Sequence, residues 1–366
     1  MSHVWLPCGD YHQTYEEDQG WWQTTFIKTK MVLLLLVVFV GIPQFLDDYW
    51  IGVGTMVGYT AMGALGVQLL IGYAGLITLG HAAFIAVGAY TSTLLVLQFP
   101  WPQFMVDWGL AYPVSILAAA VTAGVWSVLF GLPSAKVKGF YLILTTMAAQ
   151  FITVDFILTQ YVSQIGGRGQ AFSLPPGTIK IGPWVIDTET KIYYTMAVLI
   201  TLMVIVLANL LRSRAGRAWV AIRDNDIAAE ALGINIVWCK LLAFFVAGAM
   251  AGVAGAFWVS NTAALSPEHF PWFWSLWLVG VILIGGVGSI HGAIFGSIFM
   301  VVVMELLQMA VIPLSIYYPK LLMDFAFIKD MAFGLAICAF LIYEPNGLAY
   351  RWWQVKNYFN LWPFSY

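Results

Sequence analysis

The sequence predicts an all-α polytopic membrane protein, with about ten transmembrane helices and glycine-interrupted segments among them. Three observations predict it. Hydrophobic residues make up 61% of the chain and charged residues 9%, where a soluble domain carries about 25% charged residues. The apolar residues gather in runs close to the roughly 20 residues that a bilayer crossing needs. Lysine and arginine fall in alternate connections between those runs, which gives the chain a basic and an acidic side.

The runs lie near 31–46, 50–71, 81–98, 110–132, 138–159, 192–211, 238–260, 272–287, 291–313 and 329–344. Ahead of them, residues 1–30 are polar and acidic. They lack the basic start and early apolar core of a secretory signal, so they read as a cytoplasmic lead-in with Trp21 and Trp22 reaching the interface. Lys28 and Lys30 precede the first run, Lys136 and Lys138 follow the fourth, Arg212, Arg214, Arg217 and Arg223 follow the sixth, and Arg351 and Lys356 follow the last. Asp47, Asp48, Asp107, Asp187 and Glu189 collect on the other side. Positive residues stay inside, so both termini are expected in the cytoplasm, around a membrane domain over 31–344; Arg168 and Lys180 are exceptions, in the long external loop where the rule is weaker. Trp50, Trp101, Trp108, Trp272 and Trp274 stand at the expected interfaces. Residues 160–191, rich in glycine and proline, read as an external ordered loop or short hairpin, and 345–366 as a basic, aromatic cytoplasmic tail lying along the inner surface.

Several function classes drop out. The net charge of −2 says nothing about nucleic acid, and no basic tract suggests it. The three cysteines and five histidines show no metal-type spacing and no nucleophile motif. No catalytic residue, metal or bound cofactor is therefore expected.

The polar residues inside the runs are few. "GYAGLITLGHAAFIAVG" carries Gly72, Gly75, Gly80 and His81; "GGVGSIHGAIFG" carries Gly285, Gly286, Gly288 and His291. Both place a histidine after closely spaced glycines and then resume a helix, and they read as corresponding pieces of two structural repeats. Paired glycine interruptions point to a binding site in transporters, whereas close helix packing explains the same glycines without one. For His81 and His291 a structural hydrogen bond to backbone stands beside ligand contact. Gln68 is a further candidate for the substrate path. Thr146, Gln150 and Thr153 share one helical face, to line that path or to bond helices together. Asp155 lies off the stripe. Glu305 and Gln308, three apart, are expected to interact.

"RSRAGRAWVAIRDNDIAAEALGI", residues 212–234, is the charge-dense exception. Four arginines at the bilayer centre would cost roughly 2.5–3.5 kcal/mol each, so the segment is cytoplasmic. Asp224, Asn225 and Asp226 offer N-cap oxygens, Ala228, Ala229 and Ala231 favour helix, and Gly233 suits a left-handed C-cap. Ile227 and Leu232 are its apolar contacts. A solvated loop is the alternative to a small helix docked in a partner's groove.

"GRAWVAIRDNDIAAEALGIN" resembles the cytoplasmic coupling segment of ABC importer permeases, and more narrowly of the branched-chain amino acid (Liv-type) family and its LivM-like subunits. "GYAGLITLGHAAFIAVGAYT", "LSPEHF" and "GGVGSIHGAIFG" are similar to segments of the same family, and the resemblance runs from about residue 50 to the C-terminus. Leu76 departs from it, standing where many relatives carry glutamine. The resemblance implies a second related permease, two cytoplasmic ATPases that use the ATP, an external substrate-binding protein and a bacterial inner membrane. It implies that residues 212–235 couple to the ATPases, with Arg217, Arg223, Asp224, Asp226, Ala229, Glu230 and Gly233 as the residues concerned. The chain contains no Gly-x-x-x-x-Gly-Lys-Ser/Thr phosphate loop, so ATP would be hydrolysed elsewhere. Branched-chain or related amino acids are the implied substrates, with urea or amides as alternatives. A stand-alone secondary transporter or channel is the competing reading.

Overall fold

The structure, a computed structural model, describes residues 25–134, 139–162, 172–173, 179–182, 184–262, 264–315, 318, 320 and 324–361. Most of the expected lead-in (1–24), Lys136, Lys138, Arg168 and the last residues, 362–366, lie outside them.

Helix α1 covers Thr25–Leu36, passes through a π-helical turn at Val37–Gly41 and ends over Ile42–Phe45. Then come α2 (Asp48–Val67, continued by a π-helical stretch over Gln68–Tyr73), α3 (His81–Gln98), α4 (Ala111–Ser134) and α5 (Phe140–Phe151, continued as a π-helix over Ile152–Val162). They are followed by α6 (Glu189–Arg212), α7 (Arg214–Asp224), α8 (Asp226–Ala231) and α9 (Ile236–Thr262). The last are α10 (Trp272–Gly285), α11 (Ile290–Ser315), α12 (Phe325–Tyr343) and α13 (Gly347–Leu361).

Among the described residues nine helices are long and apolar enough to cross a membrane. They match nine of the ten expected runs. The first expected run is a shorter apolar helix, Met31–Phe45. At 1.5 Å per residue it measures about 22 Å, against a hydrocarbon core of about 30 Å. Lys30 before it and Asp47 after it bound the apolar stretch. The Tyr193 hydroxyl of α6 donates to the Val38 carbonyl at 3.0 Å and ties this helix to the bundle.

The core forms where α9 packs against α3 and α4, with α2 beside them. Small residues make this possible. A Cβ on Gly252 would lie 2.3 Å from the Ala119 carbonyl, and one on Gly255 would lie 2.0 Å from that of Ile85. Apolar burial gives no net drive between helices in lipid, so such close backbone approach is what joins them. The Ser127 hydroxyl donates to the Phe244 carbonyl at 2.6 Å across the same interface.

The expected hairpin in 160–191 is present as β2 (Lys180–Ile181) paired with β3 (Trp184–Val185). A second ladder joins β1 (Phe172–Ser173) to β4 (Ala264–Leu265) in antiparallel register, Phe172 opposite Leu265. It ties the long loop to the turn before α10. In that turn Ser266 and His269 form a reciprocal capping box.

Glu305 and Gln308 do not pair with each other as expected. The Tyr49 hydroxyl donates to Glu305, and Lys329 of α12 donates to Gln308 at 3.4 Å. Their spacing makes contact possible along one helix, but neighbouring helices offer each of them a better partner.

Candidate functional site

The site is assembled where α2 and α10 stop. Helix α2 widens into its π stretch, and the chain then crosses residues 74–80 before α3 begins at His81. Gly75 holds φ +70°, a left-handed conformation that glycine adopts without penalty. Backbone groups freed by such a break inside a membrane protein must find partners in the protein. They do so here. The Leu79 N–H donates to the Thr146 hydroxyl at 3.1 Å, the Gly80 N–H to the Thr78 hydroxyl at 3.3 Å, and the Ala82 N–H to the Ser275 hydroxyl at 2.9 Å. A Cβ on Gly80 would lie 2.1 Å from the Thr146 carbonyl, so α5 presses directly on this break.

His81 opens α3, fully buried. Its ring stands edge-on to Phe84, with centroids 6.0 Å apart, beside the Gly63 backbone. Among the described residues neither ring nitrogen meets strict hydrogen-bond geometry, and the Gly63 backbone is the group placed to bond it. His291, by contrast, is exposed at the start of α11, tilted against Phe295.

The second break is shorter. Gly286 and Gly288 take φ +116° and +84°, and α11 starts at Ile290. The two breaks meet. A Cβ on Gly72 would lie 2.6 Å from the Gly288 backbone nitrogen. The buried Gln68 amide donates to the carbonyls of Gly286 at 3.1 Å and Ser289 at 2.8 Å, bridging α2 to the second break. Gly285 holds the second break from the α10 side. A Cβ there would lie 1.8 Å from the Gly292 carbonyl, so it serves the close packing of α10 on α11.

Thr146, Gln150 and Thr153 are buried within the chain, and each has a protein partner. Besides accepting from Leu79, Thr146 donates back to the Ile143 carbonyl at 3.0 Å. The Gln150 amide donates to the Phe270 carbonyl at 2.9 Å, and the Trp126 indole N–H donates to the Thr153 hydroxyl at 3.0 Å. The stripe therefore bonds α5 to α4, to the first break and to the turn before α10. The carbonyl oxygens of Gln68 and Gln150 have no hydrogen-bond partner among the described residues.

The segment after α6 folds as two helices, α7 and α8, where the sequence suggested one. Trp219 and Ile222 bury one face of α7, and the Trp219 indole donates to the Cys239 carbonyl of α9 at 2.8 Å. The Asn225 side chain caps α8, accepting from the Ala228 N–H at 3.1 Å, and Gly233 follows α8 at φ +83°. Ala229 turns inward and is buried, whereas Ile227 is 75% exposed and Leu232 82%. Glu230 is exposed and Arg217 donates to the Arg212 carbonyl at 3.0 Å.

Arg223 joins this segment to the breaks. Its guanidinium donates to the Gly72 carbonyl at 2.5 Å and, from its other edge, to Asp224 at 3.2 Å. Sequence reasoning placed Arg223 in the segment without its partner. It missed Ser275, since a lone serine in an apolar run carries no signal of what it bonds, and Ser289, which enters through its main-chain carbonyl.

A family model described as the permease component of the branched-chain amino acid transport system matches residues 50–328. The high-affinity branched-chain amino acid transport system permease protein LivM of Salmonella typhimurium is 27% identical over 346 residues, covering 88% of this chain and 75% of that protein. The LivM protein of Escherichia coli K12 matches to the same extent. The autoinducer 2 import system permease protein LsrC of Salmonella paratyphi B is 25% identical over 317 residues, covering 85% of this chain and 84% of the relative. No solved structure matches.

Proposed function

Because the chain belongs to the branched-chain amino acid transport permease family, it is a multi-pass transmembrane permease, and we propose that it imports branched-chain or related amino acids by alternating access. ATP is hydrolysed by two separate cytoplasmic subunits, a second related permease completes the membrane unit, and an external binding protein delivers the substrate. Both termini are cytoplasmic, in a bacterial inner membrane. Orientation rests on the basic residues at Arg212–Arg223 and Arg351–Lys356. The substrate class rests on the LivM relatives, which share more of their sequence with this chain than LsrC does.

The observation that carries the coupling role is the shape of α7 and α8. They form a capped helix pair that buries Trp219, Ile222 and Ala229 against the membrane domain and leaves Ile227, Glu230 and Leu232 outside. Ile227 and Leu232 lie outside the buried core of the chain, and we read them as contacts for a folded partner. Residues 72–80 and 286–289, which meet beside this pair, are where ATPase movement would act on the helices that enclose the substrate.

The test replaces Ile227 and Leu232 with aspartate in a complex co-expressed from the neighbouring genes. Exposed residues can be changed without breaking the fold, and loss of two central contacts is expected to cut ATPase co-purification and leucine uptake about tenfold or more. Uptake by the chain without any ATPase would establish a stand-alone transporter instead.

A further inference from the structure

We propose that Arg223 is a positioning residue that holds both glycine breaks to the end of α7 and carries movement of the α7–α8 pair to them. The inference rests on the coupling role of that pair. It assigns Arg223 to the inner face of the segment, toward the membrane helices, and leaves Ile227, Glu230 and Leu232 to the ATPase.

Three contacts of one side chain carry it. The guanidinium donates to the Gly72 carbonyl at 2.5 Å. That carbonyl lies in the last turn of the π stretch ending α2, where helix carbonyls lack intrahelical donors and the helix dipole favours a cation. The stem of Arg223 then runs over Gly75. A Cβ there would lie 2.8 Å from its Cγ, and φ +70° already disfavours any other residue. The same terminal nitrogen faces the second break, 3.2 Å from where a Cβ on Gly288 would stand. Both breaks therefore keep glycine where Arg223 passes.

The anchoring of Arg223 suits a transmitting role. Trp219 and Ile222, one turn and one residue earlier, fix α7 from its buried face. Asp224 accepts from both Nε and Nη2, at 3.3 and 3.2 Å, which turns Nη1 toward Gly72. The Arg223 side chain is 38% exposed, so its ion pair with Asp224 adds little stability of its own. What it supplies is direction: a charge-assisted hydrogen bond with fixed fork geometry. Lysine can supply the charge at Gly72 but not the planar group that also lies against Gly288.

Hydrogen exchange on the assembled complex, with and without ATP and vanadate, tests this without depending on the substrate. In the wild type, residues 72–80 and 286–289 are expected to change protection together with α8. In Arg223→Gln the change in both breaks is expected to shrink about five-fold or more while the change in α8 persists, and Arg223→Lys is expected to keep about half of it. Breaks that respond as in the wild type would overturn the proposal. If Arg223→Gln fails to assemble, Asp224→Asn loosens only the outer edge of the guanidinium. An attenuation of about two-fold supports the tie, and no attenuation overturns it. A wild-type chain that purifies without ATPases overturns the importer reading instead. The tie is then judged on the chain alone, where Arg223→Gln must raise exchange in both breaks.

Discussion

From Gly72 to Ala82 the chain is held by side chains reaching in from other elements: Thr146 from α5 at Leu79, Ser275 from α10 at Ala82 and Arg223 from α7 at Gly72. Between Gly285 and Ile290 it is held mainly by backbone against backbone. Gly285 is pressed to the Gly292 carbonyl, Gly286 sits under Gly347 at the start of α13, and Gly288 lies against Gly72. Gln68 is the side chain that crosses from one break to the other. The two segments look alike in sequence, each with glycines ahead of a histidine. The difference is in what can move. A break held by hydrogen bonds can exchange one partner for another, whereas glycine packed on carbonyl oxygen has room for little but its present arrangement. The first break, although Gly80 packs on the Thr146 carbonyl, is the more adjustable element, and the second is its seat.

The largest effect expected from this contrast is at the seat. Gly285→Ala places a methyl group 1.8 Å from the Gly292 carbonyl, a backbone atom that cannot rotate away. Overpacking costs about 1–3 kcal/mol where side chains can yield, and more where they cannot. Monodisperse protein in detergent is expected to fall sharply. Gly334→Ala is the matching control, because nothing lies within 4 Å of its added Cβ. It is expected to melt at or slightly above the wild-type temperature, since alanine favours helix over glycine by up to about 1 kcal/mol.

Hydrogen-bonded positions should respond more gently. Gln68→Leu removes both bonds to the second break and leaves the carbonyls of Gly286 and Ser289 without that donor. A cost of about 1–3 kcal/mol is expected, read as a lower melting temperature. Thr146→Val removes the single acceptor for the Leu79 N–H and should cost about 1 kcal/mol, with Thr146→Ser restoring it. An equal loss for Gln68→Leu and Gly285→Ala would show that the second break is held by hydrogen bonds after all.

The sequence made the spans legible because bilayer thickness imposes one length on all of them. It made the ends of α8 legible because Asn225 and Gly233 act on their own neighbours. Contacts across the chain were harder. The bond from Arg223 to Gly72 spans 151 positions, and nothing local announces it. An alanine-rich helix shows no apolar contrast between its faces, so Ala229 could be placed in the helix but not assigned to its inner side. Thr146, Gln150 and Thr153 were found by helical spacing, yet spacing gives a shared face and not the partners on it. The pairing expected for Glu305 and Gln308 went to Tyr49 and Lys329 for the same reason.

The smallest expected effect lies at the edge of the seat, where α12 turns into α13. Arg351 donates to Glu344 from Nε at 2.6 Å and again from its terminal nitrogen. These bonds, and then the charge of Arg351, hold the Glu344 carboxyl below its usual range. A carboxylate whose folded value is depressed contributes stability above the unfolded value and loses it as pH falls through the folded one. Gly347, pressed on Gly286, lies between the two partners. Acidification below the ordinary carboxylate range should therefore loosen α13 first, and the second break only through it. Hydrogen exchange across residues 347–358, corrected for the intrinsic effect of pH, should rise modestly in acid. In Glu344→Gln that rise should already be present at neutral pH and change little on acidification. Equal acid responses in the two proteins would place the titrating group elsewhere. A response in residues 286–289 as large as that in α13 would mean that the tail itself, more than glycine packing, holds the seat.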